Sequence, residues 1–322
     1  MTSRVLGLHH VTAIVGDPQE NVDFYAGLLG LRLVKTTVNF DDPHTYHFYF
    51  GDELGHPGTL ITFFPWPSGR RGARGVSQVS AFAFAVPAAS LSYWQARLAA
   101  AGVRFGGPES RFGSPTLSFY DPAGLLVELV AEEADAASQP WLDGPIPAEH
   151  SILRIAGVTL TVPEQAPSAA LLSEMLGFHY VGSAGSHERY EIGEGASRTV
   201  VDLVGRPDVP RGRFGVGTVH HVAWRVADDA QELAWRQALI EHGYEVTPVR
   251  DRRYFRSIYF NEPGGVIFEL ATDGPGFTID EDADELGGHL MLPDWLEPRR
   301  GEIAAALLPF QVPTADQTTE SF

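Results

Sequence analysis

The feature that most constrains this chain is a pattern that recurs four times along its 322 residues. Each copy opens with a strand-like apolar run, continues into a helix-period stretch that ends at a glycine, and closes with further strand-like runs. The opening runs begin at Leu8, Val79, Ile155 and Val219. The pattern predicts four βαβββ modules, within residues 4–66, 77–133, 152–206 and 217–273.

The modules predict two domains of ordinary size, joined by an acidic, proline-bearing linker. After the last module come an acidic run and several prolines, which we interpret as an extension that wraps the protein, with a short helix near Gly301 to Leu308. The alternative for the last ten residues is a frayed end. The expected limits are 1–133 for the first domain, 134–150 for the linker, 151–275 for the second domain and 276–322 for the extension.

Composition narrows the class of protein. Apolar residues make up 44% of the chain, enough for full cores, and the formal charge of −18 argues against nucleic acid as a partner. We expect no membrane partner, because no apolar run reaches the roughly 18 residues of a membrane helix. There is no cysteine, which excludes disulfides and thiolate ligands and favours a cytoplasmic location. A metal site would need His, Asp, Glu or other oxygen donors.

Several motifs point to one family. The chain carries Leu8-His9-His10-Val11-Thr12, His220-His221-Val222-Ala223, Pro263-Gly264-Gly265-Val266-Ile267-Phe268-Glu269, and an arginine-rich run from Arg250 to Phe260. With the four modules, these resemble the vicinal oxygen chelate (glyoxalase-like) superfamily, and within it the ring-cleaving dioxygenases that act on hydroquinones. The resemblance implies an α+β fold in which paired modules form two cup-shaped mixed-sheet barrels, with module 1 paired with module 4.

The two His-His pairs are the candidate metal ligands. Successive side chains on a strand point to opposite faces, so one residue of each pair should face the cup. His10 and His221 share their faces with smaller or more polar neighbours, and we predict that they bind the metal. His9 and His220 are then expected on the opposite face, which packs under the helix layer or against a neighbouring sheet.

The closing strands supply the remaining ligand. When the Pro-Gly turns are aligned, modules 1 and 4 together offer two imidazoles and one carboxylate, a 2-His-1-carboxylate set that suits non-haem Fe(II) and leaves positions open. Phe63 would replace a fourth ligand, which leaves room for substrate and O2. The aligned positions are Phe63, Glu128, Asp202 and Glu269. The predicted metal ligands are therefore His10, His221 and Glu269.

A second pairing of the modules stays open at this point. If neighbouring modules paired in sequence, modules 3 and 4 would offer His221, Asp202 and Glu269, and modules 1 and 2 would offer His10 with Glu128. This arrangement splits the two imidazoles between sites. Under the pairing of modules 1 and 4, Glu128 has no matching histidine and is a structural carboxylate or a remnant.

Five further residues are candidates for catalysis. His9 and His220 could hydrogen-bond a neighbouring ligand, fix its tautomer or move protons. Thr12 lies two residues past His10, so its hydroxyl could reach a bound ligand. The resemblance places Arg252 and Tyr259 near the substrate, as a partner for a phenolate or carboxylate and as a donor to an oxyanion. Neighbouring arginines leave the choice of arginine open; they are Arg250, Arg253 and Arg256.

The other histidines lack comparable support, and we interpret them as surface or structural residues. They are His44, His47, His56, His150, His179, His187, His242 and His289.

These features together favour an enzyme, a non-haem iron ring-cleaving dioxygenase of the extradiol type. The expected cofactor is Fe(II), with Mn(II) as a candidate substitute, and the expected partners are a small aromatic diol and O2. The preference for hydroquinones rests on the resemblance. The alternatives are another metal-dependent enzyme of the same fold (a lyase, isomerase or thiol transferase) and a protein that binds an aromatic ligand without turnover. Oligomeric state is open, because exposed module edges could pair between chains.

Overall fold

The first half of the chain forms two βαβββ modules in a computed structural model, which describes residues 4–133 and 139–313. Module 1 consists of β1 (Leu8–Val15), α1 (Pro18–Val22) with a π-helical continuation (Asp23–Leu28), β2 (Arg32–Asn39), β3 (Asp42–Gly51) and β4 (Leu60–Pro65). Module 2 consists of β5 (Gln78–Pro87), α2 (Leu91–Ala100), β6 (Phe105–Arg111), β7 (Ser114–Tyr120) and β8 (Leu126–Glu132).

The second half repeats this order, so the prediction of a fourfold βαβββ repeat is confirmed. Module 3 consists of β9 (Arg154–Val162), α3 (Gln165–Ala170) with a π-helical continuation (Leu171–Leu176), β10 (His179–Ala184), β11 (His187–Ile192) and β12 (Thr199–Gly205). Module 4 consists of β13 (Thr218–Val226), α4 (Asp229–Glu241), β14 (Arg250–Asp251), β15 (Arg256–Asn261) and β16 (Ile267–Thr272).

Local capping helps to start the helices of modules 1 and 4 and to end that of module 3. Asp17 accepts hydrogen bonds from two backbone amides of α1, and Pro18 occupies the first helical position. Asp228 caps α4 in the same way. Gly177 ends the helical segment of module 3 with a φ of +89°, a left-handed conformation that glycine adopts without a Cβ clash.

The strands form two eight-stranded mixed sheets, and each sheet contains two modules. One sheet has the order β14-β15-β16-β13-β1-β4-β3-β2, and the other has the order β10-β11-β12-β9-β5-β8-β7-β6. Modules 1 and 4 therefore share the first sheet, through antiparallel pairing of β1 with β13, and modules 2 and 3 share the second. The predicted fold class, with module 1 paired with module 4, is confirmed, and the sequential pairing is wrong.

Each sheet thus takes one module from each half of the chain. The sheets and the predicted domains divide the chain differently, and the domain limits stay a prediction. Part of the predicted linker, residues 134–138, lies outside the described residues. Residues 139–150 connect the halves with a single turn of 3-10 helix (Ala148–His150).

Apolar side chains pack the helices against the outer face of the sheets. In module 4, Val222, Trp224 and Val226 of β13 are fully buried in one cluster with Trp235 of α4. Alternate positions along the strand supply this face. Burial of each large apolar side chain stabilises the fold by about 1.5–3 kcal/mol.

The C-terminal extension packs against β2, the edge strand of the first sheet. Its short helix α5 (Arg300–Ala306), close to the predicted helix, buries Ile303 in a cluster with Val38. Lys35, the single lysine of the chain, is fully buried and pairs with Asp280 (2.7 Å) and with Glu281 of the extension. A wrapping extension is therefore observed up to residue 313, and its last nine residues lie outside the described part.

Among the described residues, no helix is both long and apolar enough to cross a membrane.

We predict that Lys35→Met lowers the free energy of unfolding by about 3–5 kcal/mol, because it leaves buried carboxylates without their cation. Urea unfolding followed by circular dichroism measures this change. Glu302→Gln is the control: Glu302 pairs with Arg299 on an exposed surface, so its loss should leave the free energy of unfolding nearly unchanged. Equal effects of the two substitutions would contradict an anchoring role for Lys35.

Candidate metal centre

Two β-bulges shape the site where β1 meets β13. In the register of this pair, Leu8 is opposite Trp224 and His10 is opposite Ala223, so His9 is an extra residue on β1. On β13, His220 is the extra residue in the same way, between the pairs that Thr12 and Ala13 form. A bulge re-aims side chains, and here it breaks the strict alternation of the strand.

The bulges overturn the expectation that His9 and His220 pack under the helix layer. The His9 ring lies 5.0 Å from the His10 ring, and the His220 ring lies 5.0 Å from the His221 ring. Both residues of each pair therefore face the same side of the sheet. The alternation rule failed because it assumes an unbroken strand.

The structure brings His10, His221 and Glu269 together at the centre of the first cup. Their ligand atoms lie within 4.8 Å of one another, and all three side chains are buried. His10 Nε2 is 3.2 Å from His221 Nε2, and Glu269 Oε2 is 2.9 Å from His221 Nε2 and 3.4 Å from His10 Nε2. Glu269 reaches this position from β16, which runs parallel to β13 with Glu269 opposite Ala223.

A chain of hydrogen bonds selects the nitrogen that His10 presents to this centre. His9 Nε2 lies 3.1 Å from the carbonyl oxygen of Thr272, which can only accept, so this nitrogen carries a hydrogen. In a neutral His9 ring Nδ1 is then an acceptor, and His10 Nδ1, at 2.9 Å, is the donor. Burial lowers the pKa of His9, which favours the neutral ring. When the His10 ring binds a metal, Nε2 is thereby left as its ligand atom.

The second histidine pair makes the same Nδ1–Nδ1 contact, but its outer ring faces the adjoining cavity instead of a backbone carbonyl. His220 Nδ1 lies 2.8 Å from His221 Nδ1, and His220 itself lines the adjoining cavity. Burial lowers the pKa of His221 and lowers that of His220 to about 3, so both rings are neutral at physiological pH. When His221 Nε2 binds a metal, Nδ1 must donate to His220, which then carries its hydrogen on Nε2.

Glu269 has the properties of a carboxylate ligand. Ser257 on the neighbouring strand donates a hydrogen bond to Oε1, while Oε2, within the described part of the chain, has no hydrogen-bond partner. Burial alone would raise the pKa of Glu269, but the facing His10 and His221 outweigh it and hold the pKa well below its usual range. A buried, unsatisfied carboxylate oxygen beside two imidazole nitrogens fits a divalent cation.

Phe63 does not occupy the position that the turn alignment gave it. In modules 4 and 2 the closing-strand carboxylates Glu269 and Glu128 lie opposite Ala223 and Ala83 of the first strands. At the corresponding position of module 1, Thr62 rather than Phe63 lies opposite Thr12. The turn of module 1 is one residue shorter, and a slip of one residue reverses the face. Phe63 instead lies fully buried on the helix side, 4.4 Å from the ring of Tyr25.

A cavity of about 370 Å³ opens from the candidate metal centre to solvent. His10 and His221 lie at its base, and both Arg252 and Tyr259 line it. Arg252 Nε donates to Tyr259 Oη at 3.1 Å. The other residues of its wall are Asn39, Phe40, Asp41, His47, Tyr49, Phe64, Trp66, His220, Thr247, Arg250, Phe255 and Ile267.

The structure separates the neighbouring arginines. Arg250 also lines the cavity, whereas Arg253 pairs with Asp280 and Arg256 pairs with Asp229. Burial alone would lower the pKa of Arg252, but its hydrogen bond to Tyr259 and the nearby carboxylates of Glu269 and Asp41 outweigh it and raise that pKa. Arg252 is therefore a permanent cation at the cavity wall.

Sequence reasoning missed His47, which it placed among the surface or structural histidines. His47 Nε2 lies 3.0 Å from Thr62 Oγ1, and Nδ1 lies 2.9 Å from Tyr49 Oη. Thr62 in turn shares a hydrogen bond with Thr12 at 2.7 Å, so hydrogen bonds through Thr62 and His47 connect the fully buried Thr12 to the cavity. The signal was present but weak: His47 and Tyr49 share one face of β3, two residues apart.

The second cup has the same strand arrangement but different side chains at the positions that correspond to the metal ligands. The positions that correspond to His10 and His221 are Ala81 and Gly157. Its two carboxylates are buried, and each is paired with an arginine. Glu128 accepts from Arg111, and both oxygens of Asp202 accept from Arg189 at 2.8 Å. Guanidinium groups thus supply the positive charge in this cup.

Comparison with known proteins gives the same fold and family. The model of the Glyoxalase/Bleomycin resistance protein/Dioxygenase superfamily matches residues 7–129 and 154–270. MhqO of Bacillus subtilis (strain 168), whose name assigns it to the ring-cleaving dioxygenases, is 48% identical over 316 residues, covering 98% of this chain and 100% of that protein. The chlorohydroquinone/hydroquinone 1,2-dioxygenase of Sphingobium indicum is 35% identical, covering 94% and 96%.

A crystal structure of a Bacillus subtilis protein, whose name assigns it to the dioxygenases, superposes with a TM-score of 0.93 at 46% identity. The match covers 97% of this chain and 99% of that one.

We predict that His221→Ala and Glu269→Gln lose the bound metal, whereas Glu128→Gln keeps it. Elemental analysis of the purified proteins should find about one transition-metal ion per chain in the wild type and in Glu128→Gln, because only the first cup offers a 2-His-1-carboxylate set. Glu128→Gln is the matched control, since Glu128 occupies the corresponding position in the second cup. Loss of the ion from Glu128→Gln alone would overturn the assignment.

Proposed function

The chain belongs to the Glyoxalase/Bleomycin resistance protein/Dioxygenase superfamily and to its ring-cleaving dioxygenases, and we propose that it opens the ring of an aromatic diol, a hydroquinone, with O2. One observation carries the proposal: His10, His221 and Glu269 form a buried triad at the base of an aromatic-walled cavity. A triad with an open side is what a reaction needs when substrate and O2 must meet at one metal.

Fe(II) is the proposed metal, held by His10 Nε2, His221 Nε2 and Glu269 Oε2, and Mn(II) is the proposed substitute. The metal would supply two open positions and a one-electron relay between the diol and O2. The hydrogen bonds that His9, His220 and Ser257 make to the three ligands would fix their orientation. Thr62 stands where a carboxylate would be the fourth ligand, which supports a set of three protein ligands.

Aromatic side chains give the cavity the shape of a ring-binding site. Phe255 and Phe64 stand on its wall with Trp66, and the Phe255 ring lies 5.3 Å from the ring of His10. A diol ring placed between such walls gains apolar contact while its hydroxyl groups reach polar groups. Arg252 would pair with a phenolate or with the carboxylate that ring opening creates.

Proton handling is the proposed role of the remaining polar groups. His220 lines the cavity and, with its hydrogen on Nε2, would donate a hydrogen bond to the substrate oxygen, while His9, whose Nε2 bonds the Thr272 carbonyl, would hold His10 in position. Tyr259 would donate to a developing oxyanion, because its hydroxyl already accepts from Arg252 and so directs its own hydrogen elsewhere. Thr12 would act through Thr62 and His47, which connect it to the cavity.

The proposed cleavage is of the extradiol type: it breaks the bond between a carbon that carries a hydroxyl group and a neighbouring ring carbon that carries none. The name of the Sphingobium indicum relative states a 1,2-cleavage of hydroquinone, in which the two hydroxyl groups are not adjacent. This supports the same bond for the present chain.

We predict that the protein, stripped of metal and reloaded with Fe(II) under argon, consumes O2 in equimolar amount with hydroquinone. The Zn(II)-loaded protein should consume none, because Zn(II) has no accessible redox change. An oxygen electrode and mass spectrometry of the product measure both outcomes. Catechol is the comparison substrate, and His221→Ala reloaded in the same way is the control. Absence of O2 uptake with every diol would defeat the proposal.

Tyr259→Phe tests the oxyanion donor. Burial raises the pKa of Tyr259, so the phenol stays protonated and able to donate throughout the working pH range. Its loss should lower kcat about tenfold to a thousandfold while metal content stays unchanged. Tyr244→Phe is the control, because Tyr244 packs against Phe260 away from the cavity. An unchanged kcat in Tyr259→Phe would remove Tyr259 from the mechanism.

A further inference from the structure

The turn between β14 and β15 divides its four side chains between two environments. Arg252 and Phe255 line the cavity. Arg253 and Tyr254 instead contact one carboxylate of the C-terminal extension, that of Asp280. The turn therefore connects the proposed substrate site to a segment that lies outside the four modules.

The buried carboxylate of Asp280 accepts hydrogen bonds from three side chains. Its Oδ2 accepts from Arg253 Nε at 2.8 Å and from Tyr254 Oη at 3.2 Å, and its Oδ1 accepts from Lys35 Nζ at 2.7 Å. The side chain of Asp280 is 6% exposed. Charge-assisted hydrogen bonds in such a setting are short, directional and little screened by salt. A single carboxylate thus ties the turn to β2.

The turn needs such an outside contact. Arg253 has a φ of +67°, a left-handed conformation that is strained for a residue with a side chain. Strained residues persist where surrounding contacts over-determine them. Within the turn, backbone hydrogen bonds join Arg252 to Phe255 and Tyr254 to Arg252, so a change at Arg253 moves both cavity residues.

We propose that Asp280 is a positioning residue of the active site, which holds the turn of residues 252–255 so that Arg252 and Phe255 face the substrate. The inference rests on the proposed function, because it assigns the cavity to a diol. Asp280 touches neither the cavity nor the candidate metal ligands, and it acts through Arg253 and Tyr254. The C-terminal extension is then a component of the substrate site and more than a cover for the edge strand.

Asp280→Asn is the direct test, with Asp294→Asn as the matched control. Asparagine keeps the shape of Asp280 but removes its charge, and Glu281 still pairs with Lys35, so the buried lysine keeps a partner. Asp294 pairs with the same Arg253 at 3.5 Å but is 92% exposed, so its ion pair contributes little. Circular dichroism and metal content, measured for each protein, exclude unfolding as the cause of a change.

The first readout is binding of hydroquinone under argon, measured by the quenching of tryptophan fluorescence, to which Trp66 in the cavity wall contributes. Asp280→Asn should raise the dissociation constant roughly tenfold, and in turnover it should raise KM more than it lowers kcat, because positioning of a binding group is lost. Asp294→Asn should match the wild type. An unchanged dissociation constant in Asp280→Asn would overturn the proposal.

A second variant and a second readout keep the test decisive. Arg253→Ala breaks the same contact from the other side and should reproduce the weaker binding. Hydrogen exchange of the peptide that covers residues 250–256 should be faster in both variants than in Asp294→Asn. Faster exchange without weaker binding would also contradict the proposal. If the wild type binds hydroquinone but consumes no O2, the proposed function fails, while the binding comparison still decides the role of Asp280.

Discussion

The antiparallel pairing of β1 with β13 is the constraint on which the rest of the site depends. It joins the first strand of the chain's first module to the first strand of its last module, and it places Thr12 opposite His221. Two imidazoles more than two hundred residues apart thereby come within 3.2 Å. β16 then adds Glu269 by parallel pairing with β13, so one sheet supplies all three side chains. The protein gains a site of low flexibility, because each ligand stands on a strand rather than on a loop.

The two cups show that the module fold by itself does not specify a metal site. Both sheets keep the same strand pairing and the same bulges, and both keep buried carboxylates on the closing strands. In the first cup two imidazoles face Glu269, whose Oε2 has no hydrogen-bond partner among the described residues, so a cation can bind this carboxylate. In the second, Arg111 and Arg189 already neutralise Glu128 and Asp202. Burying a charge without a partner is costly, so each cup has adopted one of the two solutions.

The sequence allowed the repeat, the module pairing and the proposed ligands to be predicted, because these depend on residue type and on period. His10 and His221 stood out since matching positions of two repeats carried the same rare pair. Two details of the site could not be predicted from the sequence and became visible in the structure. The bulges at His9 and His220 have no sequence signature that alternation can reveal, and the shorter turn before β4 shifted Phe63 by one position. His47 was missed because its role depends on Thr62 and Tyr49, and such partners become visible only once the strands are in register.

The two histidine pairs make the metal centre asymmetric, and this asymmetry bears on where the substrate lies. The His9 relay ends on the carbonyl of Thr272 and is closed to the cavity, so it can orient His10 but has no proton to exchange. The His220 relay ends at the cavity wall, on the side where Tyr259 and Arg252 also stand. With its hydrogen on Nε2, His220 can donate to a phenolate oxygen that lies on that side. We infer that the diol approaches along the His220 side, and that the His9 side serves to hold the ligand geometry.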